Sequence, residues 1–288
     1  MTSPQNKIAL MLELLHCSDL HFGPPYLPQV GEAALRLAYE LELDGIVFSG
    51  DFTQRAKRQQ FEEAKAYMDE FPDVPKVVVP GNHDVPLYRV FERFKTPLKH
   101  YQEVIEERLN YVVELEQAVI VALDSTAPRS AISNGRIHAE QLDFCEEAFR
   151  DVPPETCKIV VAHHHFAPAP DYEWDQTMPK AKRAVDKFVD LGVDLIMGGH
   201  LHRSYIGNTL DLYAGRHRDR GIIIVQSGTT TSHRGRGKER EKNSLNVVRI
   251  GSGMIHVTHY LHFHERDRFE PVSRHSFPRP GMQFNENP

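Results

Sequence analysis

The sequence predicts an α/β fold, and three observations lead there. Apolar runs alternate with amphipathic helical patterns from Leu12 to Val79, as in βαβ crossovers that feed a mostly parallel sheet. Beyond Met197 the helical signal disappears and short β-branched runs separated by glycine turns take over. Five of the strand-like runs end in Asp, Asn or His, a pattern that suits a ligand crevice beyond the carboxyl ends of the strands.

Taken in order, Leu12–Cys17 is a strand that ends in Ser18-Asp19-Leu20-His21-Phe22-Gly23. A Pro-rich loop then leads to a helix with Ala34, Leu35, Leu37, Ala38 and Leu41 on one face. Asp44–Phe48 is the next strand and ends in Ser49-Gly50-Asp51; a helix over about 59–71 buries Phe61, Ala64 and Met68. The strand Val77–Val79 runs into Gly81-Asn82-His83-Asp84, where glycine admits backbone angles closed to other residues and so permits a sharp turn. A charged helix is expected over about 89–108. It is followed by a hairpin of Tyr111–Leu115 and Val119–Leu123 that ends in Asp124-Ser125-Thr126. A helix over 138–149 precedes the strand Lys158–Ala162, which ends in His163-His164-His165. A helix over 180–191 precedes the strand Val193–Met197, which ends in Gly198-Gly199-His200-Leu201-His202. Strands follow over Gly221–Gln226, Ser244–Ile250 and Met254–Leu261. From about residue 263 the chain is polar and Pro-rich, and an extended or disordered arm is expected to 288. The expected organisation is an N-terminal extension over 1–11, one domain over 12–262, and that arm.

With 288 residues, 40% hydrophobic and 26% charged, the chain has the make-up of a soluble globular protein with a sizeable core. A net charge of -6 argues against a general binder of nucleic acid or anionic membranes, so neither is expected as a partner. Ile8–Leu12 resembles the start of a signal sequence, but Glu13 interrupts it, and Met11 is an alternative start. No run approaches the roughly 18 apolar residues of a membrane span. Cys17, Cys145 and Cys157 are odd in number and widely spaced, which fits a reducing cytoplasm and offers no disulfide framework. The compositional outlier is 17 histidines.

The metal-capable groups are Asp19 and His21, Asp51, Asn82 with His83, His163, and His200 with His202. Just past a strand, residues i and i+2 can face one side, so the Asp-x-His and His-x-His pairs can each present two ligands to one site. Mixed imidazole and carboxylate suits Mn, Fe, Zn, Ni or Co; it does not suit calcium, and it lacks the thiolates that select copper(I). These donors exceed the needs of one four-coordinate ion. Two ions roughly 3.5–4 Å apart are a recurring device for in-line displacement at phosphorus.

In order, Asp19-x-His21, Gly50-Asp51, Gly81-Asn82-His83-Asp84, His163 and Gly199-His200-x-His202 resemble the five motifs of the calcineurin-like metallophosphoesterases, over about residues 12 to 262. Ser18–Phe22 with Gly50–Thr53 is also similar to the bacterial class III cyclic nucleotide phosphodiesterase branch. The resemblance implies a four-layer α/β/β/α fold, two mixed sheets packed as a sandwich with flanking helices. It implies two transition-metal ions (Mn, Fe or Zn) and hydrolysis of a small phosphodiester, a cyclic nucleotide included, by in-line attack of a metal-bridging hydroxide. Asp19, His21, Asp51 and His202 would hold one ion. Asp51, Asn82, His163 and His200 would hold the other. His83 would contact the phosphate and protonate the leaving oxygen, and Asp84 would hydrogen-bond His83 and orient it. Other activities compatible with the same motifs are a nucleotide-sugar or nucleotide-lipid pyrophosphatase, a nuclease, and a non-catalytic scaffold on this fold. A dimer is compatible with the sequence.

Of the three adjacent histidines, His163 lies directly at the strand end and is the favoured ligand, with His164 the alternative; His164 and His165 otherwise read as supporting residues. The 166–179 loop, which carries Trp174, is either a lid over a nucleobase or a loop anchored by its own tryptophan. The basic stretch 233–242 either reaches over the metals toward a second phosphate or is a solvated loop.

Overall fold

In a computed structural model, residues 11–130, 135–168, 177–212 and 220–281 are described. The first helices and strands follow the expected alternation. β1 (Leu12–Cys17), β2 (Gly45–Phe48) and β3 (Lys76–Val78) lie parallel, joined through α1 (Pro28–Glu40) and α2 (Arg58–Asp69). Where the sequence suggests one helix over 89–108, the structure has two short ones, α3 (Val90–Lys95) and α4 (Lys99–Val104). Pro97 explains the break: it lacks an N–H, and it drives Thr96 out of the helical region, to φ -143° and ψ 56°.

β4 (Asn110–Leu115) and β5 (Ala118–Leu123) form the expected antiparallel hairpin. Then come α5 (Ala139–Phe149), β6 (Cys157–Ala162), α6 (Ala181–Asp190), β7 (Leu195–Gly198), β8 (Tyr205–Asn208), α7 (Thr209–Leu212) and β9 (Ile223–Gln226). The chain closes with β10 (Ser244–Ile250), β11 (Met254–Phe263) and β12 (Arg268–Pro278). Two mixed six-stranded sheets result, in the orders β12-β11-β10-β1-β2-β3 and β4-β5-β6-β7-β9-β8.

Strand alternation builds the layers. In the second sheet Ile120, Ile159, Met197 and Val225 point inward and share one core with Leu14, Val47 and Val247 of the first sheet. The neighbouring Val121, Val160, Ile196 and Ile224 point outward and pack under Leu142 and Phe149 of α5 and Val185 and Phe188 of α6. Buried on both faces, these strands read as continuous apolar runs. Ala34 of α1 and Phe61 of α2 pack on the first sheet, so helices flank the sandwich on both sides. Among the described residues no helix is long and apolar enough to cross a membrane. Cys17, Cys145 and Cys157 are buried and free.

One expectation needs correction, and one strand has no counterpart in the sequence pattern. The segment after His264 does not trail away: Arg268–Pro278 is an edge strand antiparallel to β11, from Phe263↔Arg268 to Met254↔Pro278. Most of its side chains are at least partly exposed on both faces, so the sequence carries no two-residue apolar period there. An edge also tolerates Pro271 and Pro278, which a central strand would not. β8, a short antiparallel edge strand on β9, gave no apolar signal because only Gly207 of its four residues is buried. The extension over 1–10 and Trp174 lie outside the described residues.

Arg279, just past β12 and 2% exposed, ties the end of the first sheet to the far sheet. It donates to Asp194 Oδ2 (3.3 Å from Nε and from Nη2), to the Pro154 carbonyl (2.9 Å) and to the Glu155 carbonyl. Asp194 also accepts from Arg220 (2.7 Å) and from the Lys158 N–H (3.0 Å). Removing one partner of a buried pair costs roughly 3–5 kcal/mol, and Arg220 remains to hold Asp194, so Arg279→Ala is expected to cost about 3 kcal/mol. Urea unfolding measures it; a loss below about 0.5 kcal/mol is what an ordinary surface substitution gives and would deny this residue a clamping role.

Candidate metal centre

The site lies where the parallel strands of both sheets end. Asp19 and His21 follow β1, Asp51 follows β2, and Asn82 opens a short 3₁₀ turn just beyond β3; His163 follows β6, and His200 and His202 follow β7. Backbone pairing continues past the strands: Asp19 N–H donates to the Gly50 carbonyl (3.0 Å) and His21 N–H to the Asp51 carbonyl (2.9 Å). The paired ligands do not share a side through strand alternation, as the spacing suggests. Asp19, His21, Asp51, His200 and His202 all adopt left-handed backbone angles, with φ of 53°, 52°, 55°, 77° and 54°. Such angles cost a non-glycine residue on the order of 1–3 kcal/mol and concentrate at functional sites.

Gly81 is at φ -110° and ψ -179°, extended backbone that any residue can adopt. Its requirement is space rather than a special angle, since a Cβ there would lie 2.2 Å from Asp51 Oδ1. Gly199 is equally confined: a Cβ would lie 1.8 Å from Ser18 Oγ and 2.6 Å from Asp19 Oδ2.

Each carboxylate has one oxygen tied down and one left over. Asp19 Oδ2 accepts from Ser18 Oγ (2.7 Å) and from the His200 N–H (3.0 Å), while Oδ1 faces His202 Nε2 at 3.1 Å and His21 Nε2 at 3.6 Å. Asp51 Oδ1 accepts from the His83 N–H (2.7 Å), while Oδ2 stands 3.7 Å from His21 Nε2 and 3.5 Å from His163 Nε2. Asp19 Oδ1 and Asp51 Oδ2 are buried without a hydrogen-bond partner. Two of the imidazoles follow the same rule. His163 Nδ1 donates to the Ser49 carbonyl (2.7 Å) and His202 Nδ1 to the Arg234 carbonyl (3.0 Å), which leaves each Nε2 facing the centre, free to take a proton or a cation. Asn82 Oδ1 is 2.9 Å from His200 Nδ1 and 3.3 Å from His163 Nε2.

Buried carboxylate oxygens and imidazole nitrogens that point at one another without enough protons between them fit cations. Asp19, His21, Asp51 and His202 group their ligand atoms within 4.8 Å of one another, and so do His163, His164 and His200. Two neighbouring positions with Asp51 between them is the arrangement of a dinuclear centre. All seven sequence-predicted ligands converge here.

The electrostatics agree. Burial alone would raise the Asp51 carboxyl, but the charges of His163 and His83 hold it well below its ordinary value. Burial likewise presses on His163, and Asp51 outweighs it, raising the imidazole to about 9. Burial lowers His21 to about 4 despite the adjacent carboxylates.

Asp84 departs from its expected role. Its carboxylate accepts from the N–H groups of Phe52 (3.2 Å), Thr53 (3.0 Å) and Gly81 (2.9 Å) and from the Thr53 hydroxyl (3.1 Å), so it staples the Asp51 loop to the Asn82 turn. Burial, reinforced by the Asp51 charge, pushes its carboxyl up to about 7. His83 is oriented instead by the Gln54 carbonyl, 3.1 Å from Nδ1. Sequence reasoning also missed Arg234 as a neighbour of His83. Its guanidinium donates to Gln54 Oε1 (2.7 Å) and lies 3.5 Å from His83 Nδ1. The glycine-rich basic stretch was the available signal, and it did not single out Arg234. The His165 ring stacks on His200 with centroids 5.5 Å apart.

Comparison with solved structures finds the same fold in other proteins. A purple acid phosphatase from yellow lupin superposes with a TM-score of 0.69 at 12% identity, covering 94% of this chain, which spans only 54% of that enzyme. PhoD superposes at 0.67 and 12% identity, covering 100% of this chain and 74% of its own. A dimetal phosphatase from Danio rerio superposes at 0.62 and 12% identity, covering 93% of this chain and 99% of its own. No curated protein matches at the level of sequence. The sequence profile of the calcineurin-like phosphoesterases matches residues 12–204. With that match over most of its length, the chain belongs to the calcineurin-like phosphoesterase family.

Proposed function

We propose that this phosphoesterase hydrolyses a small phosphodiester, with 3',5'-cyclic nucleotides the first class to test. The observation that carries the reading is the pair of buried, unpartnered oxygens, Asp19 Oδ1 and Asp51 Oδ2, ringed by imidazole nitrogens. Asp19, His21, Asp51 and His202 would hold one ion, and Asp51, Asn82, His163 and His200 the other. Manganese, iron or zinc suits these donors. When bound, the ion pair activates water near neutral pH and offsets charge on the phosphoryl oxygens. The similarity of Ser18–Phe22 and Gly50–Thr53 to class III cyclic nucleotide phosphodiesterases supports the substrate choice. Three buried free thiols support a reducing, cytoplasmic setting.

His83 stands at the edge of the centre, its ring 4.8 Å from that of His21. With Nδ1 donating to the Gln54 carbonyl, Nε2 is the atom that can carry a proton to the departing oxygen. Asp84 acts through the loop backbone, keeping Asp51 and His83 in register. Arg234 favours a second reading: a guanidinium beside His83 suits a further phosphate, as in a nucleotide pyrophosphatase.

Hydrolysis of cyclic AMP, measured on protein reconstituted with Mn, Fe, Zn and Ni in turn, is expected to exceed that of a generic aryl phosphodiester. Equal or lower rates remove the cyclic nucleotide assignment, and faster cleavage of a dinucleotide pyrophosphate selects the second reading. Asp51→Ala is expected to empty both metal positions, as read by elemental analysis; retention of two ions would rule out a shared Asp51. His83→Ala is expected to keep the metals and lose roughly 10²–10⁴-fold in rate, least for nitrophenyl esters, whose leaving group needs no proton. A loss equal for all leaving groups would assign His83 to phosphate positioning instead.

A further inference from the structure

We propose that His164 is a third imidazole ligand of the second metal position, making that position nitrogen-rich and selective for zinc-like ions over manganese. The inference rests on the dinuclear reading above and adds a donor to it. His164 is 1% exposed, and its Nε2 is buried with no hydrogen-bond partner. An imidazole held only for packing gains nothing from an unpaired buried nitrogen, which is costly to leave unsatisfied. The ring lies 4.7 Å from that of His200 and 5.0 Å from that of His163, and one ligand atom of each of the three residues falls within the same 4.8 Å group.

The other side of the ring is anchored as a ligand's would be. Ser125 Oγ, just beyond β5, sits 2.9 Å from His164 Nδ1 and also accepts from the His164 backbone N–H at 3.1 Å. With Nδ1 donating to Oγ, the lone pair falls on Nε2, as the Ser49 carbonyl arranges for His163. Gly135, at φ 62°, closes against the same Nδ1 edge; a Cβ there would lie 2.3 Å from His164 Cγ and 2.5 Å from Nδ1. The ring is therefore boxed in one orientation.

The two positions then differ in chemistry. One has the Asp19 and Asp51 carboxylates with His21 and His202. The other has three imidazoles with Asn82 and the shared Asp51. Imidazole donors favour zinc, nickel and cobalt, whereas carboxylate oxygens suit manganese.

Zinc and manganese affinities of the full-length protein, titrated against a chelating dye, test this. In His164→Gln the zinc affinity of one of two positions is expected to fall by about 100-fold, and Ser125→Ala by about 10-fold, the range seen when ligand support is lost. The zinc-to-manganese preference is expected to narrow in His164→Gln, which a merely structural role would not produce. A circular dichroism spectrum and melting curve taken in chelator establish that each variant folds; if His164→Gln does not, Ser125→Ala decides by the same criteria. Zinc affinities within twofold of wild type in a folded variant, or an unchanged preference, overturn the proposal and leave the dinuclear reading standing. Failure of the wild-type protein to bind two ions overturns both.

Discussion

The carboxylate of Asp51 is the point where the two sheets meet chemically. One oxygen is fixed by the His83 backbone; the other faces His21 from the first sheet and His163 from the second, at 3.7 and 3.5 Å. A buried carboxylate in that position is tolerable only with compensating positive charge, from protonated imidazole or from metal. The sandwich closes around that requirement. Gly50 and Gly81 lack side chains so that His163 and Asp51 can come close, and Asp84 spends its acceptors on loop N–H groups to keep the turn in place.

Support for the site is layered. Several nitrogens and oxygens that do not face the centre are held by Ser18, Ser49, Ser125, Gln54 and the Arg234 carbonyl, most of them on the same loops as the ligands. Loss of one loop's geometry therefore reaches the neighbouring ligand through the backbone. The 210-residue separation between Thr229 and Asp19, joined by a 2.8 Å hydrogen bond from the Thr229 hydroxyl to the Asp19 carbonyl, shows how the late strands complete a site begun at residue 19.

Much of this was legible in the sequence because it rests on local pattern. Apolar runs marked nearly every buried strand, and polar clusters at their ends marked the seven ligands, which needed only the rule that parallel strands share a ligand-binding edge. What was illegible depends on contact. The edge strand β12 has no apolar face to announce it. The role of Gly81 is set by the position of Asp51, a chain segment away, and not by its own dihedrals. Asp84 follows His83 in sequence yet turns its carboxylate to Phe52 and Thr53. Arg234 is one of several basic residues in its stretch, and only the packing of the loop against Gln54 distinguishes it.

The left-handed backbone at Asp19, His21, Asp51, His200 and His202 has a consequence for how this protein can change. Glycine tolerates those angles better than aspartate or histidine, so drift toward it would relax the fold while erasing the ligands. Stability and chemistry pull in opposite directions at the same five positions. A relative that has lost its metals is accordingly expected to be the more robust molecule, and glycine at these places in such a chain would record the loss.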